Sequence, residues 1–221
     1  MTKIQTHSEP ISGWAFSEFG IVDFCDKRLS NRLLKLSDSF AKSPESSINM
    51  ACENWGQTKA AYRFFQNDNI DESKILGAHA NKTVARASKC GTILAIQDTC
   101  YISYKNHKKT TGLGVIASRV SSKTTNFRTQ GLIMHTSFAI TTDGLPIGLL
   151  DQTISSRPEV SKEIKELKKR THNNGVSIEE KESIRWLKSL KQSNSLGLTN
   201  TKIVTIWRSL HITPFCLSTR L

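Results

Sequence analysis

Apolar residues recur at helical spacing through the first third of the chain. Between residues 26 and 42 they fall at i, i+4, i+7 and i+11, which places them on one face of a helix whose N-cap is Asp26. The members of this apolar stripe are Leu29, Leu33, Leu36 and Phe40. Two further helices are predicted over 53–66 and 72–88, the second capped by Asp71. Residues 1–90 therefore predict a small helical domain.

After residue 90 the pattern changes to short apolar runs rich in β-branched residues, which are typical of strands. We predict strands over 92–99, 131–142, 145–154 and 202–206. Asp143-Gly144 is a strong turn signal, so the second and third of these strands should form an antiparallel hairpin.

Helices are predicted between the last two of these strands. Pro158 opens one at its first turn, with interleaved Glu and Lys residues that form solvated pairs. Ser177-Ile178-Glu179-Glu180 is a capping box for another, whose apolar stripe is Ile184, Leu187 and Leu190. No regular element is predicted after Ile206. The fold class is α/β, or α+β overall, with helices first and a sheet domain after them.

The chain is basic, with 31 Lys and Arg residues against 19 Asp and Glu residues and a net charge of +12. Such an excess favours a polyanionic partner, most commonly nucleic acid. The excess is unevenly distributed, because residues 1–60 hold seven cations and seven anions. Five cysteines without CxxC spacing predict reduced thiols and favour neither a zinc site nor a disulfide framework. Since no signal pattern and no apolar run of membrane length is found, we expect a soluble cytoplasmic protein with no membrane partner.

Two groups of residues are candidates for contact with DNA. A basic stripe lies beside the apolar stripe of the first helix, and its members are Arg28, Arg32, Lys35 and Lys42, with Lys27 directly before it as a further candidate. It is either a phosphate-binding surface or an ordinary solvated helix face. Arg28 and Arg32 fall in the first two turns, where the helix dipole disfavours cations, and phosphate contact would offset that cost. The second group, Tyr62 and Arg63, either stacks on a strand and neutralises it or is a buried tyrosine beside a surface arginine.

Asp98 lies at the end of the first predicted strand, and no acidic residue follows it until Asp143. The cations between them are Lys105, Lys108, Lys109, Arg119, Lys123 and Arg128. A lone carboxylate that faces a basic segment suits a metal ion that meets a polyanion. The alternative is an aspartate that caps a turn at the end of a strand.

Several of these stretches resemble bacterial DDE transposases of the insertion-sequence-four kind, the Tn-five-like group. The matching residues occur in the family's order over residues 14–206. They are Asp26-Lys27-Arg28 with Arg32, Ala61-Tyr62-Arg63-Phe64, Leu94-Ala95-Ile96-Gln97-Asp98-Thr99 with Ser103-Tyr104, Gly131 with His135, and Glu180-Lys181-Glu182-Ser183 with Trp186-Leu187. The resemblance implies a helical domain over 1–90 that binds transposon ends, followed by a partial RNase H-like catalytic domain over 91–206.

Transposases of this family hold two divalent metals, Mg²⁺ or Mn²⁺, in an Asp-Asp-Glu triad, and they cut and join DNA during cut-and-paste transposition. By this resemblance Asp98 is the first carboxylate, catalytic and metal-binding. The second should follow the strand 202–206 in a motif like Asp-Arg-Glu, but the chain reads Trp207-Arg208-Ser209, and the third is not found. The expectation is therefore a truncated, catalytically inactive DNA-binding fragment with an aberrant tail over 207–221, which a frameshift would explain.

Two alternatives stay open beside this interpretation. One is an enzyme whose missing ligands are replaced by other residues or supplied by a partner subunit. The other is an inhibitory protein that forms mixed oligomers with an intact transposase. The expected partners are the DNA ends of an insertion element and a second copy or an intact relative. Since Ile203, Val204 and Ile206 would lack the cover of later elements, we also expect that strand to expose apolar surface.

Overall fold

The computed structural model describes residues 13–104, 109–120, 126–157, 163, 166, 177–209 and 212–218. Its architecture is α+β, with helices in the first part of the chain and a mixed sheet in the second. The chain divides into two units, of which the first ends at Lys82 and the second begins at Thr83. The described helices include none that is both long and apolar enough to cross a membrane.

The helices of the first part lie close to where the sequence places them. They are α1 (Gly13–Phe19), α2 (Lys27–Lys42), α3 (Ile48–Ala51), α4 (Trp55–Phe65) and α5 (Glu72–Ala87). The predicted cap of α2 is confirmed, because Asp26 Oδ1 accepts a hydrogen bond from the backbone N–H of Arg28 at 2.8 Å. Asp71 Oδ1 accepts in the same way from the N–H of Ser73 at 2.9 Å, at the start of α5. The short helices α1 and α3 were not predicted, since neither is long enough to show a helical period.

The core of the first unit is apolar, and the predicted stripe of α2 forms one wall of it. Leu33 and Leu36 are buried there, and Leu29 and Phe40 pack against it. The other buried members are Val22, Phe24, Cys52, Ala61, Phe64 and Ala78. Burial of this aliphatic and aromatic surface is what holds α2 against its neighbours, since helices of this length are marginal on their own.

The second part of the chain forms a six-stranded sheet. Its strands are β1 (Thr92–Ser103), β2 (Gly114–Val120), β3 (Asn126–Thr141), β4 (Pro146–Ser155), β5 (Lys202–Ser209) and β6 (Ile212–Ser218). The order is β2-β3-β1-β5-β6, with β4 also paired to β3. β1 is antiparallel to β3 and parallel to β5, and helix α6 (Ile184–Ser195) lies in the connection before β5.

The predicted hairpin at Asp143-Gly144 is confirmed. Gly144 has φ 85°, a conformation that glycine adopts at little cost, and its N–H donates to the carbonyl of Thr141 at 3.0 Å. β3 and β4 then pair in antiparallel register on either side of this turn.

Three strand predictions were wrong. β1 continues to Ser103, so Asp98 lies within a strand and not at its end. β2 was not predicted at all, and β5 and β6 extend over a segment for which no element was predicted. In each case the strand exists because a remote partner pairs with it: β3 pairs with both β1 and β2, and β5 pairs with β6.

The region around α6 also differs from its prediction. Ser177 makes no side-chain capping hydrogen bond, a short 3₁₀ helix occupies Ile178–Glu180, and α6 begins only at Ile184. The helix buries Ser189 and Ser193 against the sheet, whereas Leu187 of the predicted apolar stripe is 38% exposed. In the neighbouring strand, Ile203 is buried at 5% exposure, so the expected apolar exposure of β5 was wrong for that residue.

The second unit has an apolar core on part of one face of the sheet. Ala87, Ile93, Ala95, Ala139, Ile147, Leu150, Leu198 and Ile203 form it. Because Ala87 belongs to the last turn of α5, this turn is part of the sheet unit. The helix predicted from Pro158 and the basic residues 105–108 lie outside the described residues.

Candidate nucleic-acid interface

The basic stripe of α2 is accessible in the structure. Lys27 and Arg28 are exposed, and Arg32 and Lys35 are half-buried on the same helix. The apolar stripe explains this position, because its residues Leu29, Leu33, Leu36 and Phe40 pack on the core. Cations one position before these residues therefore lie at the edge of the buried face. α2 contains five cations and one acidic residue, Asp38, which is buried and paired with Lys42 at 3.5 Å. Its exposed surface is therefore positively charged.

Asp26 offsets the unfavourable position of Arg28 at the helix N-terminus. The Arg28 guanidinium Nε lies 3.3 Å from Asp26 Oδ1, while the Arg28 side chain remains 92% exposed. The backbone hydrogen bond from Arg28, followed by the contact with its side chain, lowers the pKa of the Asp26 carboxyl. The carboxylate thus stabilises the helix dipole and the arginine together. Arg28 is left able to contact an anion in solvent.

Arg32 connects the basic stripe to the first turn of α4. Its Nη1 donates to Gln57 Oε1 at 3.3 Å. Asn54 caps this turn, because its Oδ1 accepts from the N–H of Gln57 at 3.0 Å. The same first turn therefore carries an aligned helix N-terminus and an arginine beside it, an arrangement that favours anions.

Tyr62 and Arg63 lie on a different side of α4 from Gln57. Gln57 and Arg63 are six positions apart, which is about 120° around the helix axis. Tyr62 is 44% exposed, and its hydroxyl lies 3.3 Å from Asn49 Oδ1 in α3. The tyrosine is thus not buried, which was the alternative interpretation. The structure joins the α2 stripe to α4 through Gln57, and it joins Tyr62 to α3.

Sequence reasoning missed three exposed residues near these groups. Met50 of α3 is 76% exposed and Trp55, the first residue of α4, is 75% exposed. Lys59 is also exposed, one turn after Trp55 on the same helix. The signal for Trp55 was the asparagine before it: Asn54 is a strong N-cap residue, and its position fixes the start of α4 at Trp55.

Asp98 lies on the sheet face opposite to the face covered by α6. Side chains alternate between the two faces along β1, so Asp98 points away from the face of the buried residues Ala95 and Gln97, and it is exposed. Thr136 stands opposite it on β3, and Gln152 of β4 donates to the Thr136 hydroxyl at 3.3 Å. The cross-strand row through Asp98 therefore continues with a hydroxyl and an amide.

Among the described residues, no group of three or more His, Cys, Asp and Glu side chains lies close enough to hold a metal ion. Asp143 sits in the hairpin turn, and Asp151 lies opposite Ser137 on β4. The Glu182 carboxylate is held by Arg157, with Nη2 3.1 Å from Oε2, and by Arg185 at 3.5 Å.

The pairing of β1 with β5 determines which residue of β5 lies beside Asp98. The two strands are parallel, and Gln97 stands opposite Trp207. Asp98 is the next residue of β1 and Arg208 is the next residue of β5. The segment in which the resemblance implies the second carboxylate reads Trp207-Arg208-Ser209, and the residue of β5 beside Asp98 is thus an arginine in the sequence.

Residues 11–70 match the family model described as transposase DNA-binding. The matched segment contains α1 to α4, whereas Asp98 lies outside it. The predicted DNA-contacting residues within it are Lys27, Arg28, Arg32, Lys35, Tyr62 and Arg63. The match supports a transposase-family role in DNA binding, with DNA as the partner.

Proposed function

We propose that this chain is a transposase-family protein of an insertion element, of the Tn-five-like group, and that it binds DNA through α2 and α4. The observation that carries the proposal is the coincidence of the matched segment, residues 11–70, with the exposed cations of α2. Phosphate contacts supply most of the affinity of such surfaces, and base contacts or shape supply the sequence preference.

The local distribution of charge supports this location better than net charge does. Residues 1–60 are balanced, so a uniform field does not attract DNA to this part of the chain. On α2, however, the cations are exposed and the one acidic residue is buried. On α4, Lys59 and Arg63 are exposed and the helix contains no acidic residue. Segregation of charge on these two helices gives a positive surface on a neutral domain.

The test is a DNA-binding titration at several salt concentrations with the variant Arg28→Ala/Arg32→Ala/Lys35→Ala. If each cation contacts a phosphate, the slope of log affinity against log salt becomes shallower by about two to three in the variant. Wild-type affinity should fall about tenfold or more between 50 and 200 mM salt. The matched control is Lys188→Ala/Lys191→Ala/Lys202→Ala, which removes the same charge from exposed sites of the second unit. Equal losses in the two variants would contradict the proposal.

For the second unit we propose an RNase H-like sheet. An antiparallel arrangement of β1, β3 and β4, followed by a helix and then by a strand parallel to β1, is the order expected of that fold. Crossover connections of this kind need a helix between the parallel strands, and α6 occupies that place. Asp98 on β1 then corresponds to the first carboxylate of the family.

We further propose that the chain alone binds DNA without cutting it. Two-metal phosphoryl transfer needs carboxylates that converge on both ions, and Mg²⁺ gives up its water reluctantly to a single ligand. Thr136 stands opposite Asp98 on β3 and Cys100 Sγ lies 3.7 Å from Asp98 Oδ2, whereas Glu182 is engaged by two arginines. Incubation of a DNA duplex with the chain and Mn²⁺ should give no nicking. Nicking that disappears in Asp98→Ala would contradict this part of the proposal and leave DNA binding intact.

A gain-of-function variant sharpens the same point. Arg208→Asp places an acidic residue on β5 at the position that follows the Gln97–Trp207 pair. It should increase the affinity for Mn²⁺, which can be measured by calorimetry, whereas Arg208→Asn should not. Equal Mn²⁺ affinity in both variants would show that Asp98 and position 208 do not act on a common ion.

A further inference from the structure

Six polar residues are buried on α6 and on the sheet face that α6 packs against. We call them the polar layer, and its members are Gln97, His135, Ser137, Ser189, Ser193 and Thr205. Each is at most 2% exposed. The Ser137 and Ser193 hydroxyl oxygens lie 3.3 Å apart, which joins β3 to α6, and the Trp186 ring of α6 contacts the His135 ring at 4.7 Å between centroids.

Strand register places the sheet members of the layer on one face. Gln97 stands opposite Ser137 on β3, and Thr205 stands opposite Ala95, two residues before Gln97 on β1. Residues two apart on a strand point to the same side, so Gln97 and Thr205 are diagonal neighbours. The part of this face near the starts of β1 and β5 is apolar, with Ile93, Ala139 and Ile203 in the core. The polar layer therefore lies toward the C-terminal ends of these two strands.

Several polar atoms of this layer lack a partner. Both Gln97 amide atoms, His135 Nε2, Ser189 Oγ and Thr205 Oγ1 are buried without a hydrogen-bond partner in the described part of the chain. A buried group without a partner is costly, and natural proteins satisfy nearly all such groups with protein atoms or ordered water. Serine is a small polar residue, so at Ser189 and Ser193 α6 turns hydroxyl groups inward in place of bulky apolar groups.

We propose that the polar layer is an internal hydration site, in which ordered water bridges Gln97 and Thr205 of the sheet to Ser189 of α6. Water suits these partners because it both donates and accepts, as an amide, two hydroxyls and an imidazole nitrogen require. His135 adjoins the site. Its Nδ1 is 2.8 Å from the Thr99 hydroxyl, and its Nε2 is buried without a hydrogen-bond partner in the described part of the chain. A water molecule can form a hydrogen bond with that nitrogen in either tautomer of the imidazole.

The direct test is magnetic relaxation dispersion of solvent water on the full chain, together with water contacts of the Gln97 side-chain amide by NMR. The expected result is long-lived water in the wild type and a contact between that amide and water. The double variant Gln97→Met/Thr205→Val removes the polar atoms at nearly constant volume, and it should lose the signal of at least one long-lived water. An unchanged signal in the folded variant, or a wild-type amide without a water contact, would overturn the proposal.

Thermal unfolding separates a hydrated layer from a dry one. If water occupies the layer, the double variant unfolds at a lower temperature, because it removes satisfied hydrogen bonds. If the layer is dry, the variant unfolds at a higher temperature, because it removes buried polar atoms without partners. The matched control is Thr201→Val, whose hydroxyl donates to the carbonyls of Ala87 at 3.2 Å and Cys90 at 3.0 Å. It should lower the midpoint and leave the water signal unchanged.

Discussion

The two units of this chain bury different kinds of side chain. The first unit is held by leucine and phenylalanine, and its cations stay at the surface. In the second unit, an apolar cluster covers one part of a sheet face and the polar layer covers another part of the same face. The helical unit thus separates binding residues from packing residues along each helix, whereas the sheet unit places polar groups inside. Substitutions should therefore affect the two units through different physical causes.

The largest expected effect is the loss of an aromatic ring from the helical core. Phe64 is 3% exposed and contacts Phe24 edge to face at 6.1 Å. Phe64→Ala should lower the free energy of unfolding by about 3–5 kcal/mol, because it removes buried surface and leaves a cavity. The control is Phe65→Ala, since Phe65 is 52% exposed. Denaturant unfolding measures both, and equal losses would show that the apolar core is not what holds this unit.

A smaller loss is expected from a glycine in the sheet unit. Gly131 pairs with Ser103 and Gly114, and an added Cβ would collide with the carbonyl oxygen of Ile102. Gly131→Ala should therefore destabilise the unit by about 1–3 kcal/mol, because the strand must shift. Gly91→Ala is the control, since a Cβ there meets no atom within 4 Å. Wild-type stability of Gly131→Ala would contradict the close approach of these strands.

Helix caps distinguish the two units at a finer level. Asp26 caps α2 through a 2.8 Å hydrogen bond, whereas Ser177 makes no capping bond. Asp26→Ala should lower the thermal midpoint by about 2–4 °C, the shift expected from the loss of one cap. Ser177→Ala should leave the midpoint unchanged. A fall in midpoint for Ser177→Ala alone would reverse the comparison.

The smallest effect is expected from pH. Burial, with the nearby charge of Arg185, lowers the pKa of His135 below its ordinary value of 6.5, against the opposing effect of Asp151 and Asp98. Since the unfolded state then binds the proton more readily, stability is complete above pH 6.5 and falls as the pH drops below it. His135→Asn should remove this part of the pH dependence, measured by thermal unfolding at pH 5 to 8. His79→Asn in the helical unit should retain it.

The sequence predicted the helical unit well because its signals are local. The stripe from Leu29 to Phe40 and the cap at Asp26 are both contained within a single helix, and the same spacing identified Arg28 and Arg32 as surface cations. Trp55 was missed because exposure of a large aromatic contradicts its usual burial. No spacing along the chain reports that a tryptophan is left in solvent.

The sheet unit was predicted less completely because its determinants are remote in sequence. β2 and β6 lack a strong apolar alternation, and each exists through pairing with a partner strand. The burial of Ser189 and Ser193 could not be predicted, since the apolar residues of α6 suggest a different inner face. Asp98 could be identified as a candidate from the sequence, but its place within β1 follows from the length of the β1–β3 pairing.

Contact of α2 and α4 with DNA is tested most directly by an NMR titration of the full chain with a DNA duplex at low salt. We expect the backbone amides and arginine side chains of α2 and the first turns of α4 to shift most, with Arg28 and Arg32 among them. We also expect added salt to reverse these shifts. Shifts confined to the strands of the sheet, with α2 unchanged, would contradict it.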